Sequence, residues 1–161
     1  MTGIIDWQPQ VVFGNARINN GTTPPTITCQ HGASECDFNI LQTCVIAHSA
    51  TGSSSAHNVS AWLPAIHCLE GYGSKQGAHA QDCVEGAGMV FAPVSACWKG
   101  PEGAALELAA GAATAALQPA HQFVPWVTLD APGTFCTEAG CDNMLAAVCA
   151  AYTGPKPASC A

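Results

Sequence analysis

The sequence predicts an α+β fold, a single domain over residues 1–161, and three observations carry that expectation. Short runs of β-type residues lie near both ends, segments with helical period lie between and after them, and Gly, Pro and Asn punctuate the joins. A chain of 161 residues is long enough for one domain with a proper core.

The elements follow in order. Val11-Val12-Phe13 leads into Gly14-Asn15-Ala16-Arg17-Ile18, Asn19-Asn20-Gly21 reads as a turn, and Thr26-Ile27-Thr28 resumes β-type residues, which predicts a strand and hairpin. Ser34 and Asp37 read as a capping box, with Leu41, Cys44, Val45 and His48 at helical spacing behind it. The segment from Ser49 to Asn58 is a Gly/Ser-rich loop. Ser60 then caps a helix with Trp62, Ile66 and Leu69 on one face, Pro64 being tolerated near its first turn. A short helix is expected from Pro93 to Trp98, and a longer one from Pro101 to about Leu117, stopped by Gln118-Pro119. His121 to Asp130 returns to β-type residues around Pro125, and Asp142 to Tyr152 closes the chain as a helix with Leu145, Val148, Cys149 and Tyr152 on one face.

Composition excludes several functions. The hydrophobic content of 48% is inflated by alanine, and the longest low-charge stretch, Leu108 to Ala120, is too short and too polar to span a bilayer, so no membrane partner is expected. Four basic residues, Arg17, Lys75, Lys99 and Lys156, are scattered among eleven acidic ones, which leaves no cationic patch for nucleic acid. No Ser/His/Asp order and no phosphate-cradling glycine loop occurs, so hydrolase and nucleotide chemistry have no support and no cofactor is expected. Protonating all six histidines would take the formal charge from −7 to −1, removing most of the self-repulsion in an acidic compartment.

Ten cysteines in this length point to disulfides in an oxidising compartment. The sequons at Asn20 and Asn58 would be glycosylation acceptors in a secretory lumen. The first residues, Met1 to Trp7, have neither a basic region nor an apolar stretch and do not form a signal peptide. The interior and the start are reconciled by a chain that begins downstream of its natural start.

Cys29-Gln30-His31-Gly32-Ala33-Ser34-Glu35-Cys36-Asp37-Phe38-Asn39-Ile40-Leu41-Gln42-Thr43-Cys44 is the densest motif. It resembles the C-Q-H-G-x-x-E-C-x-x-N-x-x-x-x-C signature of the gamma-interferon-inducible lysosomal thiol reductase family at every fixed position: Cys29, Gln30, His31, Gly32, Glu35, Cys36, Asn39 and Cys44. Phe13-Gly14-Asn15-Ala16, Cys97-x-x-Gly100-x-x-Gly103, Leu117-Gln118-Pro119, Val124-Pro125-Trp126-Val127 and Cys149-x-x-Tyr152 through Cys160 look like further landmarks of that family in the same order.

The resemblance implies a thioredoxin-like fold with a helical, cysteine-rich insertion, its first strand and helix lying upstream of this chain. It implies thiol-disulfide exchange on disulfide-containing or unfolded protein substrates, with a small-thiol reductant, in a lysosomal, vacuolar or extracellular setting. It further implies that Val124 and Pro125, joined by a cis bond, meet the substrate chain. That chemistry needs a Cys-x-x-Cys, and none occurs among the 161 residues. No residue of this chain is therefore assigned as catalytic, and a non-catalytic, disulfide-stapled binding module is the alternative.

His31 with Cys29, Cys36 and Cys44 could bind zinc in principle. The absence of a C-x-x-C knuckle favours no metal, with His31 hydrogen-bonded in the signature loop and Glu35 capping or pairing. His121 stands open between tuning the redox site and simple solvation. Cys136 and Cys141 are expected to bridge locally, because the turn around Gly140 brings them within disulfide reach. Non-reducing peptide mapping should recover that pair as one linked species; either cysteine free or paired elsewhere would refute it.

Overall fold

A computed structural model describes residues 13–49, 59–128, 135–136 and 144–160. They fall into two compact units that divide near His121. Positions 50–58 of the loop expected from Ser49 to Asn58, with the sequon at Asn58, and Cys141 lie outside the described residues, as does the side chain of Cys136.

The first unit is helical with a small hairpin. Strands β1 (Arg17–Asn19) and β2 (Thr26–Thr28) pair antiparallel, with Ile18 opposite Ile27, and the turn between them carries an exposed Asn20. Helices α1 (Ala33–Ala47), α2 (Val59–Gly71), α3 (Gln76–Gly86), α4 (Phe91–Lys99) and α5 (Pro101–Ala115) follow, with a 3₁₀ turn at Gly73–Lys75 between α2 and α3. The sequence patterning missed α3, whose Ala-, Gln- and His-rich face carries few large apolar residues. It buries only Ala80, Cys83 and Val84 with Gln76, so its apolar stripe is too sparse to stand out.

Helix α1 packs against all four other helices. Its Leu41, Cys44, Val45 and Ile46 form one core with Trp62, Ala65 and Leu69 of α2, Ala80, Cys83 and Val84 of α3, and Val94 and Cys97 of α4. Two bridges pass through this core, Cys44–Cys97 joining α1 to α4 and Cys68–Cys83 joining α2 to α3. A polar seam runs beside it. The buried amide of Gln42 on α1 donates to Gln76 Oε1 on α3 at 3.0 Å and to the Glu70 carboxylate on α2, so three helices share one satisfied network. Trp98 clamps α4 to α1, its indole N–H donating to the Asp37 carbonyl at 3.1 Å and its carboxylate at 3.0 Å, while Lys99 lies over the Trp98 ring.

Two spacings in the sequence gain a steric reason here. A Cβ on Gly100 would sit 2.5 Å from the Ala96 carbonyl oxygen, where the chain turns from α4 into α5. A Cβ on Gly103 would sit 2.5 Å from Ile40 Cγ2 and 2.6 Å from the Cys97 carbonyl oxygen. Cys97-x-x-Gly100-x-x-Gly103 thus lets α5 press its backbone onto the α1–α4 bridge. Farther along, Gly111 leaves room for the side chains of Phe13 and Ile18, which seats the hairpin on α5.

The start of α1 corrects one expectation. No side chain caps it, and Ser34 lies inside the helix rather than ahead of it, because Gly32 at φ 96° turns the chain in two residues earlier than a Ser34 cap would. Glu35, third in the helix, instead reaches back to accept the His31 backbone N–H. Helix α2 likewise includes Val59 and Ser60, so Pro64 lies within it rather than in its first turn.

The second unit holds strand β3 (Val127–Thr128) paired antiparallel to β4 (Phe135–Cys136), with Val127 opposite Cys136 and Thr128 opposite Phe135. Helix α6 (Met144–Ala151) follows, and Cys149–Cys160 ties it to a terminal 3₁₀ turn. Val148 and Cys149 are buried, but Leu145, expected on the same face, is exposed, since α6 is covered only toward its C-terminal turn. Tyr152 lies over Gly154, where a Cβ would meet its ring at 2.6 Å. The chain is thus a helix-rich α+β protein with small antiparallel sheets, and no helix among the described residues is long and apolar enough to cross a membrane.

Gly103→Ala should destabilise the fold by roughly 1–3 kcal/mol, as overpacking against a backbone carbonyl does, measurable as a lower urea midpoint at unchanged slope. Glu107 on α5 gives a second expectation. It is 3% exposed, and burial pushes its carboxyl from 4.5 up to about 7. Because the folded value lies above the unfolded one, stability is greatest at and below the unfolded value and falls as pH rises from 4.5 through 7. The full loss is roughly 3 kcal/mol. Chemical denaturation across that range should show the decline, and Glu107→Gln should flatten it.

Candidate functional site

The signature is assembled from the β2 exit, the loop before α1 and the first turns of α1. Cys29 bridges Cys36, stapling the loop to the helix, with the Asn39 amide 3.9 Å from Cys29 Sγ. Gly32 makes the turn with its positive φ. The His31 ring Nδ1 stands 3.2 Å from the Glu35 carboxylate that also holds its backbone N–H, so both residues hydrogen-bond within the loop. Gln30 is exposed and accepts from the Asn15 amide at 3.0 Å. A Cβ on Gly14 would meet Glu35 Oε1 at 3.6 Å, which sets the Phe13-Gly14-Asn15 segment against the same loop. Cys44, the last signature position, is separate from this group and serves the core bridge to Cys97.

The structure adds a residue that the sequence reading did not select. A carboxylate oxygen of Glu107 lies within 4.8 Å of the sulfurs of both Cys29 and Cys36. Its Oε1 is buried without a hydrogen-bond partner. The signal was available: Glu107 is the single charged residue between Gly103 and Leu117, flanked by Leu106 and Leu108 in an alanine-rich helix. An unaccompanied acid there faces either solvent or something that needs it.

A second group brings His48, Cys97 and Glu102 together, with His48 Nε2 3.2 Å from Glu102 Oε1. Neither group fits a metal as it stands. The sulfurs of Cys29, Cys36 and Cys97 are all committed to disulfides and offer no thiolate.

The other candidate surface belongs to the second unit. The Val124–Pro125 bond is cis, as are Thr23–Pro24 and Gln118–Pro119. Val124 and Pro125 are both exposed, just ahead of β3, and Phe123 and Trp126 on either side meet edge to face at 5.1 Å between ring centres. His121 is half-buried at the start of this segment.

Comparison with known proteins finds relatives along most of the chain. The family model described as Gamma interferon inducible lysosomal thiol reductase (GILT) matches residues 2–87. A gamma-interferon-inducible lysosomal thiol reductase from Carassius auratus is 33% identical over 156 residues, covering 93% of this chain and 57% of the relative. A gamma-interferon-responsive lysosomal thiol protein from Arabidopsis thaliana is 31% identical over 142 residues, covering 88% and 54%. The Mus musculus reductase is 27% identical over 157 residues, covering 93% and 56%. The chain therefore spans about half the length of these relatives, and within that span its disulfide-stapled signature and its match to the family model place it in the gamma-interferon-inducible lysosomal thiol reductase family.

Proposed function

We propose that this protein acts as a thiol-disulfide oxidoreductase of the lysosomal thiol reductase type, reducing protein disulfides in an acidic lumen of the secretory pathway. The observation that carries the reading is the match to two relatives named thiol reductases along most of the chain. Four disulfides among the described residues support an oxidising route through the cell. A buried Glu107 that favours the folded state at low pH supports the acidic setting.

In this reading the fold is thioredoxin-like. A Cys-x-x-Cys, which in relatives lies upstream of the segment matched by Val11, supplies the nucleophile. Its thiolate attacks the substrate disulfide, its second cysteine resolves the mixed disulfide, and a small thiol returns the pair to the reduced form. Val124 and Pro125, exposed just ahead of β3, offer the substrate chain a surface where backbone hydrogen bonds orient it.

One observation favours a second reading, a disulfide-stapled binding module that holds cysteine-containing chains without turning them over: the 161 residues contain no Cys-x-x-Cys. The two separate in one assay of a disulfide-linked protein substrate at acidic pH with cysteine as reductant. A longer form carrying the upstream Cys-x-x-Cys should turn over, and the 161-residue chain should match a cysteine-free control. In the longer form Val124→Asp should raise KM by about tenfold, the loss of one apolar contact of roughly 1.4 kcal/mol. An inactive longer form, or one in which Val124→Asp changes nothing, would count against the reductase or its substrate edge respectively.

A further inference from the structure

Of the four bridges among the described residues, Cys29–Cys36 has a distinct setting. It closes the smallest loop, with a sequence separation of 7 against 11, 15 and 53 for the others, so it gains the least from restraining the unfolded chain. Its two cysteines are unequal, Cys29 being buried and Cys36 half-buried. Beside them lies the Glu107 carboxyl, only 3% exposed, with its Oε1 buried and unpartnered and a carboxylate oxygen within 4.8 Å of both sulfurs. The bridge Cys44–Cys97 also has an acid nearby, Glu102, but both of its sulfurs are fully enclosed. Cys68–Cys83 likewise joins a half-buried to a buried cysteine, yet it belongs to neither acid-bearing cluster.

We propose that Cys29–Cys36 and Glu107 form a second redox site, distinct from any Cys-x-x-Cys, at which a low-molecular-mass thiol opens the bridge and Glu107 supplies the proton to the leaving sulfur. The thiolate of the small thiol attacks Cys36 Sγ, the sulfur of the less buried cysteine. A bond forms between them, the Cys36–Cys29 bond breaks, and its electron pair passes to Cys29 Sγ, which takes the proton from the Glu107 carboxyl. A second small thiol attacks the mixed disulfide, leaving as a symmetrical disulfide and releasing Cys36 as a thiolate that takes a proton from solvent. Two thiols are oxidised, one protein disulfide is reduced to two thiols, and Glu107 regains its proton from solvent. Because Cys29 is buried, the site serves small thiols and not protein disulfides.

The acid suits this task. At acidic pH thiolates are scarce and poor nucleophiles are the rule, so protonating the leaving sulfur is the step a protein can assist. Burial keeps Glu107 neutral into the neutral range. The elements packed on α5 are α1, α4 and β1, with the bridge at the end of β2. Their charged groups are engaged or exposed: Glu35 with His31, Asp37 with Lys99, Glu102 with His48, and Arg17 exposed on β1. Cys44 and Cys97 are bridged to each other.

The 161-residue protein is treated with a limiting cysteine/cystine buffer at pH 5, 7 and 9, quenched by alkylation and mapped by mass spectrometry. The opening rate of Cys29–Cys36 is divided by that of Cys68–Cys83 in the same sample, which cancels the reductant's own titration. The ratio should exceed one at pH 5 and fall by about tenfold or more by pH 9, as loss of a general acid requires. Glu107→Gln should make it independent of pH. A ratio of one or less at pH 5, a flat profile in the unsubstituted protein, or an unchanged pH profile in Glu107→Gln would overturn the proposal. If Glu107→Gln does not fold, the profile of the unsubstituted protein decides alone.

Discussion

The Cys44–Cys97 bridge is the constraint around which the helical unit is arranged. Both cysteines are fully buried, and the bond holds α1 and α4 at a separation that side-chain packing alone would leave adjustable. Helix α5 then makes its close approach to the bridge at Gly103, where it lacks a side chain. The indole of Trp98, next to the bridge, reaches back to Asp37 on α1, so a covalent bond and hydrogen bonds fix the same pair of helices. Remote parts inherit this order. The hairpin sits on α5 through Gly111, and α2 and α3 join α1 through Gln42.

The fixed residues of the signature divide into two tasks that the spacing alone does not reveal. Cys29, Gln30, His31, Gly32 and Glu35 build a turn that holds the strand entry against the start of α1. Cys44, two turns on, belongs to the core. The motif is therefore chiefly a piece of architecture. The exception is what it shelters: an acid brought by α5 from more than sixty residues away.

Legibility in the sequence followed how local each determinant is. The hairpin at 17–28, helix α1 with Leu41, Cys44 and Val45 inward, the start of α5 at Pro101 and the closing helix were readable because turn residues, caps and period act over a few positions. Helix α3 was hidden by a polar composition that only packing against α2 makes sense of. Ser34 misled because its spacing to Asp37 imitates a cap, while the chain direction is set by Gly32 and Asp37 is drawn away by Trp98. Leu145 misled because period says which face an apolar residue shares, not whether anything covers that face. Glu107 was the least readable, since its meaning depends on sulfurs seventy positions away.

The pairing of the cysteines has a topological consequence. Cys29 pairs with the next cysteine in sequence, Cys36; Cys68 pairs with the next, Cys83; and Cys44–Cys97 encloses that second ring without crossing it. Cys149–Cys160 again joins neighbours. The rings among the described residues are thus nested or side by side, and none interlocks with another. A nascent chain can close them in any order without passing one segment through a loop already sealed. The innermost ring, Cys68–Cys83, draws α2 and α3 together and shortens the path that the Cys44–Cys97 closure must then span, so oxidation and collapse advance in the same direction.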